Sequence, residues 1–124
     1  MSRRTLVAIA AGATALLVAG GAQSQGSATK LSGTVGSGFT IKLTKGGGKK
    51  FASLKAGKYS FAITDKSSIH DFTLEQEKGG KFEKHLTTVP ATGKKTVAVT
   101  LKKGKWKYYC SAHEGLMHGF FSVK

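Results

Sequence analysis

Residues 105–124 read KWKYYCSAHEGLMHGFFSVK. At its start the stretch alternates with period two: Trp106, Tyr108 and Cys110 fall on one face, Lys105, Lys107 and Tyr109 on the other. GFFSVK closes the chain as a second short run. Such alternation over short runs is the mark of half-buried strands, in which successive side chains point to opposite faces. The two strands enclose CSAHEGLMH, which holds the only cysteine, two of the four histidines and the only methionine after Met1.

The same period recurs upstream. KTVAVTL (95–101) puts Val97, Val99 and Leu101 together, and KYSFAIT (58–64) does so with Tyr59, Phe61 and Ile63. HDFTLEQ (70–76) and FTIKLT (39–44) alternate as well. GGGKK (46–50), KGGK (78–81) and VPATG (89–93) interrupt these runs with turn residues. No long period-3.6 pattern and no internal repeat follow residue 22. Seven or eight short strands at this spacing predict an all-β, antiparallel sandwich or barrel.

The N-terminus reads differently. Arg3 and Arg4 precede the apolar run LVAIAAGATALLV (6–18), and Gly20 and Ala22 stand at −3 and −1 of a cut after Ala22. This is the pattern of a secretory signal peptide over residues 1–22, shorter in its apolar part than a membrane span. SRRTLV also resembles a twin-arginine signal. Residues 23–32 are then expected as a flexible polar leader and 33–124 as one domain, exported to a periplasmic or extracellular space and monomeric, with no stable membrane insertion after cleavage.

Residues 23–124 carry 18 lysines, no arginine and 6 acidic residues. Nucleic-acid readers rely on the bidentate guanidinium, so a lysine-only surface does not indicate nucleic-acid binding. It suits solubility, or steering toward an acidic protein partner. One cysteine permits no internal disulfide, and a lone thiol in an oxidising compartment calls for burial, an intermolecular partner or a metal.

The loop favours the metal. Cys110, His113 and Met117 follow C-x2-H-x3-M, close enough for one loop to gather all three. His70, after the turn-like DKSS, is the candidate fourth ligand from elsewhere in the chain. Thiolate, imidazole and thioether donors select copper over hard cations, and His2Cys with a weak axial Met is the blue-copper electron-transfer set. Zinc accepts Cys and His but does not ordinarily take Met. His118, next to Met117, competes for the axial place; neighbours on an extended segment point to opposite faces, so only one of the two can face the metal.

These residues carry a family resemblance. YYCSAHEGLMHGFFSV resembles the C-terminal copper loop of the cupredoxins, the plastocyanin and azurin family, in the aromatic residue before the cysteine, the Cys-x-x-His step, the Met, and the glycine two residues beyond it. DKSSIHDFTL resembles the family's earlier histidine strand. The resemblance spans roughly residues 33–124. It implies a Greek-key β-sandwich, a single type 1 copper ion, and electron transfer without bond-making chemistry. Carried over, it implies equatorial His70, Cys110 and His113 and axial Met117. The expected function is an exported one-electron carrier cycling Cu(II)/Cu(I) with a protein redox partner; the alternative is a copper buffering or delivery protein with the same ligands.

Other residues have plainer expectations. His85 lacks a ligand-spaced partner and reads as a surface histidine. Trp106 and Tyr108 read as core. Asp71 either orients the ligand loop by hydrogen bonding or is a turn carboxylate, and Ser111 is placed to help fix that loop. Glu114 is a poor ligand beside Met117. The chain shows no nucleophile elbow, phosphate-cradling loop or paired carboxylates, so a catalytic role is not expected.

Overall fold

The structure, a computed structural model, describes residues 28–124. The expected signal peptide (1–22) and the leader up to residue 27 lie outside them. Nine strands build the described chain: β1 Thr29–Val35, β2 Ile41–Lys45, β3 Ser53–Leu54, β4 Gly57–Asp65, β5 Thr73–Lys78, β6 Glu83–His85, β7 Gly93–Leu101, β8 Gly104–Tyr109 and β9 His118–Val123. They form two sheets, ordered β2-β1-β4-β7 (sheet A) and β3-β9-β8-β5-β6 (sheet B). Among the described residues no helix is long and apolar enough to cross a membrane.

The two sheets face each other over buried apolar side chains, among them Phe61, Ile63, Val99, Leu101 and Trp106, which the alternation marked. Phe61 and Ile63 of β4, Leu31 and Val35 of β1, and Val99 and Leu101 of β7 are buried from sheet A. Leu74, Trp106, Phe121 and Val123 are buried from sheet B. Trp106 and Phe121 stack with ring centroids 6.2 Å apart, and Trp106 Nε1–H donates to the Lys102 carbonyl at 2.9 Å. An indole needs such a partner when it is buried this completely.

The all-β sandwich follows the sequence pattern, with two refinements. Strands number nine because β3 and β6 are two and three residues long, too short to show a period. Two pairings are parallel, β1 with β4 and β3 with β9. Alternation tells which face a side chain takes but not which way its neighbour runs. Strand β1 also begins inside the stretch expected as leader. Its inward positions are Leu31, Gly33 and Val35, and the glycine hides the period. A Cβ at Gly33 would collide with Ile63 and Phe72, which fill that space.

Lysines stand on both sheets, Lys78, Lys84, Lys105 and Lys107 among them on sheet B, but exposed acidic residues lie on one side only. Lys30, Lys42, Lys58 and Lys94 stand among serine, threonine and alanine on the outward face of sheet A, which has no carboxylate. Of the six acidic residues, Asp65 and Asp71 are buried; Glu75, Glu77, Glu83 and Glu114 belong to β5, β6 and the β8–β9 loop.

At the end of the sandwich where β4 crosses to β5, β8 turns into β9. Tyr108 and Gly119 are directly paired there. A Cβ on Gly119 would collide with the Tyr108 Cζ and hydroxyl oxygen, and that ring stacks on Phe72 with centroids 5.8 Å apart. The glycine of the loop motif is thus a seat for an aromatic ring. Gly119→Ala is expected to destabilise the domain by about 1–3 kcal/mol, the usual cost of overpacking, read as a lower denaturation midpoint with an unchanged m-value.

Candidate metal centre

The β8–β9 connection spans residues 110–117 and is closed by Cys110 N–H donating to the Met117 carbonyl at 3.0 Å. Inside it, His113 N–H donates to the Cys110 carbonyl (3.0 Å) and Met117 N–H to the His113 carbonyl (2.9 Å). These bonds fold the loop back on itself and turn Cys110 and His113 toward one point. His70 arrives from the β4–β5 crossover. It lies just before β5 rather than within it, since that strand begins at Thr73. His70 N–H donates to Ser67 O at 3.4 Å, holding the residue in a turn.

The three donor atoms form a small triangle. His70 Nδ1 and His113 Nδ1 are 3.1 Å apart, and Cys110 Sγ lies 3.8 Å from the first and 3.7 Å from the second. One ion bonded to imidazole nitrogen at about 2.0 Å and to thiolate at about 2.3 Å spans edges of this size. The set holds no oxygen donor, so it does not suit magnesium or calcium. The sulfur and His70 are buried and His113 is half-buried. His70 Nε2–H donates to the Gly38 carbonyl at 2.9 Å, which leaves the Nδ1 lone pair free for a metal.

The axial candidates separate. Met117 is fully buried at the end of the loop. His118, the next residue, is exposed and donates Nδ1–H to the Glu114 carbonyl at 2.8 Å. Glu114 is exposed and pairs with Lys107.

Asp71 ties the two ligand-bearing segments together. Its main-chain N–H donates to Cys110 Sγ at 3.5 Å. Its carboxylate accepts Ser111 N–H at 2.7 Å and the Ser111 hydroxyl. Thr73 Oγ1–H donates to the same carboxylate at 3.2 Å. The Asp71 side chain is 6% exposed, so these donors replace the water its carboxylate has lost. Of the two roles open to Asp71 in the sequence, the geometry gives it the orienting one, with Ser111 as its partner.

Sequence reasoning missed three contributors. Phe39, on the β1–β2 loop, stands edge-on to both His70 and His113, with centroids 5.2 and 4.9 Å away. Gly38 supplies only a carbonyl, which no side-chain motif can signal. His85 is on the surface, as expected, but its Nδ1 lies 2.8 Å from Thr73 Oγ1 and 3.5 Å from Asp71 Oδ2. Beside it, Tyr109 donates its hydroxyl to Glu83; burial first, and then that carboxylate, push the phenol well above its usual range.

No protein-family model and no curated protein sequence matches the chain. Solved structures do match its fold. A rusticyanin variant superimposes with a TM-score of 0.54 at 14% identity, covering 81% of this chain and 79% of that one. Rusticyanin from Thiobacillus ferrooxidans gives 0.53 at 16% identity, over 81% and 79% of the two chains. An amicyanin variant, solved in its reduced Cu(I) form at pH 4, gives 0.52 at 12% identity, over 82% and 88%. At such identities the likeness is one of architecture: the chain has the cupredoxin fold.

Proposed function

We propose that this domain is a mononuclear type 1 copper protein that carries single electrons, with His70, Cys110 and His113 as equatorial ligands and Met117 as the axial one. The observation that carries the reading is the triangle of one thiolate and two imidazoles, drawn together by two separate loops of a cupredoxin fold. Matching solved structures include one described as the copper protein rusticyanin and one as a Cu(I) form of amicyanin, which supports copper for the same donor set here. Met117 is favoured over His118 because it is fully buried while His118 faces solvent.

Copper bound here would supply a reversible one-electron couple. The chain's own residues do the rest. The Gly38 carbonyl fixes which ring nitrogen His70 presents, and the Asp71 N–H fixes the lone-pair direction of the sulfur. The loop bonds between Cys110, His113 and Met117 hold the donors at fixed separations, so little has to rearrange when the charge of the centre changes. Phe39, Ile69 and Leu116 are exposed apolar residues on the three loops that surround His113. They give a partner a dry surface beside the half-buried ring, and that ring is the electron's route out. Export through the N-terminal signal and a protein redox partner complete the reading.

The deciding experiment adds one equivalent of Cu(II) to residues 23–124 and records visible and electron paramagnetic resonance spectra, beside Cys110→Ser. An intense blue band with narrow copper hyperfine splitting is expected. In the variant the band should vanish and copper affinity should fall by more than about 100-fold. A colourless, weakly held ion in the parent protein would overturn the reading. Retention of copper through repeated redox cycles against a Cu(I) chelator is expected of a carrier; rapid loss would favour buffering or delivery.

A second measurement addresses the axial ligand. Met117→Leu conserves volume and should cost the metal-free domain less than about 1.5 kcal/mol. It should keep the blue band and raise the reduction potential, because loss of a thioether donor disfavours Cu(II) more than Cu(I). His118→Ala should leave the potential in place. The reverse pattern would assign the axial position to His118.

A further inference from the structure

A row of polar side chains runs from the surface of sheet B to the metal centre. His85 of β6 stands opposite Thr73 of β5, and Thr73 stands opposite Tyr109 of β8. The Thr73 hydroxyl has a single hydrogen to share between Asp71 Oδ1, at 3.2 Å, and His85 Nδ1, at 2.8 Å. If that hydrogen went to His85, the hydroxyl oxygen would face the carboxylate with no hydrogen between them. The His85 lone pair would likewise face Asp71 Oδ2 at 3.5 Å. The arrangement that satisfies every group has Thr73 donating to Asp71 and His85 Nδ1–H donating to Thr73.

This direction has a consequence for charge. Nδ1–H is present both in one neutral tautomer of the imidazole and in the imidazolium. The His85 side chain is 50% exposed, so Nε2 can gain or lose a proton to solvent without breaking the row. At the other end, Asp71 holds Ser111 by two hydrogen bonds and gives its own N–H to Cys110 Sγ. The row therefore conducts a change of charge while its geometry stays fixed.

We propose that His85 is a positioning residue for the metal centre: through Thr73 and Asp71 it steadies the bridge that aims Cys110, and the charge on its ring sets how readily the centre accepts an electron. The redox half of this inference rests on the copper reading above; the positioning half does not. Histidine is the side chain that ordinarily changes charge between about pH 5 and 8. A positive charge on the ring would act on the sulfur from the far end of the Thr73–Asp71 row, and would favour the less charged, reduced centre. Electron uptake is thus promoted as pH falls, and by reciprocity reduction favours protonation of the ring. The charged and titratable groups on the same face are Glu83 on its own strand, Asp71 and Glu75 from the β5 segment, and Lys107 and Tyr109 on β8, with Lys84 adjacent in the chain. Glu83 takes the Tyr109 hydroxyl and Lys107 pairs with Glu114, which leaves Asp71 as the carboxylate within ion-pair reach of His85.

The test compares the parent protein with His85→Gln, which keeps a side-chain N–H donor and cannot become a cation. With copper bound, the redox equilibrium constant of the parent should shift toward Cu(I) between pH 8 and pH 5 by about fourfold more than that of the variant, the size expected for a half-exposed charge acting at moderate distance. For one electron this is about 35 mV. Superimposable pH profiles of the two proteins would overturn the inference. A separate reading uses the metal-free protein: the amide resonances of Asp71 and Ser111 should titrate together with the His85 ring in the parent and lose that step in the variant. Amides that ignore His85 would overturn the positioning role even if copper never binds. Absence of the blue band with coupled amides would instead refute only the copper reading.

Discussion

The bond from Cys110 N–H to the Met117 carbonyl is the constraint on which the rest of the site depends. It pins the two ends of a loop whose flanking strands are already paired from Tyr109↔His118 down to Gly104↔Val123. A free loop of eight residues samples many shapes, and ordering its backbone alone costs on the order of 1 kcal/mol per residue. Here the ladder of β8 and β9 fixes the ends, and three internal bonds from His113, Leu116 and Met117 fix the middle. These backbone bonds restrict the loop without help from any side chain, which lowers the ordering that a ligand bound by Cys110 and His113 would have to supply.

The second ligand segment is held by different means. His70 lies outside any strand and depends on Ser67, the Gly38 carbonyl and its neighbour Asp71. Asp71 joins the crossover between sheets to the loop within one sheet. That tie extends the β5–β8 ladder, which already pairs Thr73 with Tyr109, out to the residues that carry the donors. Behind it, Thr87 Oγ1 accepts Phe72 N–H and donates to the buried Asp65, so the segment after His70 is anchored on both sides.

Much of this was legible in the sequence, for reasons that can be named. Period-two runs such as KYSFAIT mark the inward face because the pleat forces alternation, and Tyr59, Phe61 and Ile63 are buried accordingly. Cys110 and His113 were readable because ligands on one short loop must sit close together. His70 stood out by its place after the turn-like DKSS and by the family resemblance, and the fold brings it beside Cys110 and His113. What escaped was of two kinds. Strand direction and the β1 strand escaped because alternation is blind to polarity and Gly33 leaves a gap in it. Gly38, Phe39 and His85 escaped because their roles arise from folding distant segments together; His70 and Gly38 are 32 residues apart, and nothing in the spacing links them. His85 shows the limit most clearly, since its surface position was correct while its hydrogen-bonded connection inward was invisible.

The uneven charge of the two sheets bears on how the molecule moves before it touches anything. Lysines stand on both sheets, but every exposed carboxylate lies on the sheet B side, so the positive charge is offset there and not on the outer face of sheet A, which adds a dipolar component to the net charge. In the field of another macromolecule a dipole feels a torque, not merely a pull. Two proteins of equal net charge would drift toward an anionic surface at similar rates, but this one would rotate as it came. Its orientation on arrival is therefore biased in solution, within a few Debye lengths of contact, and the bias weakens as added ions shorten that range.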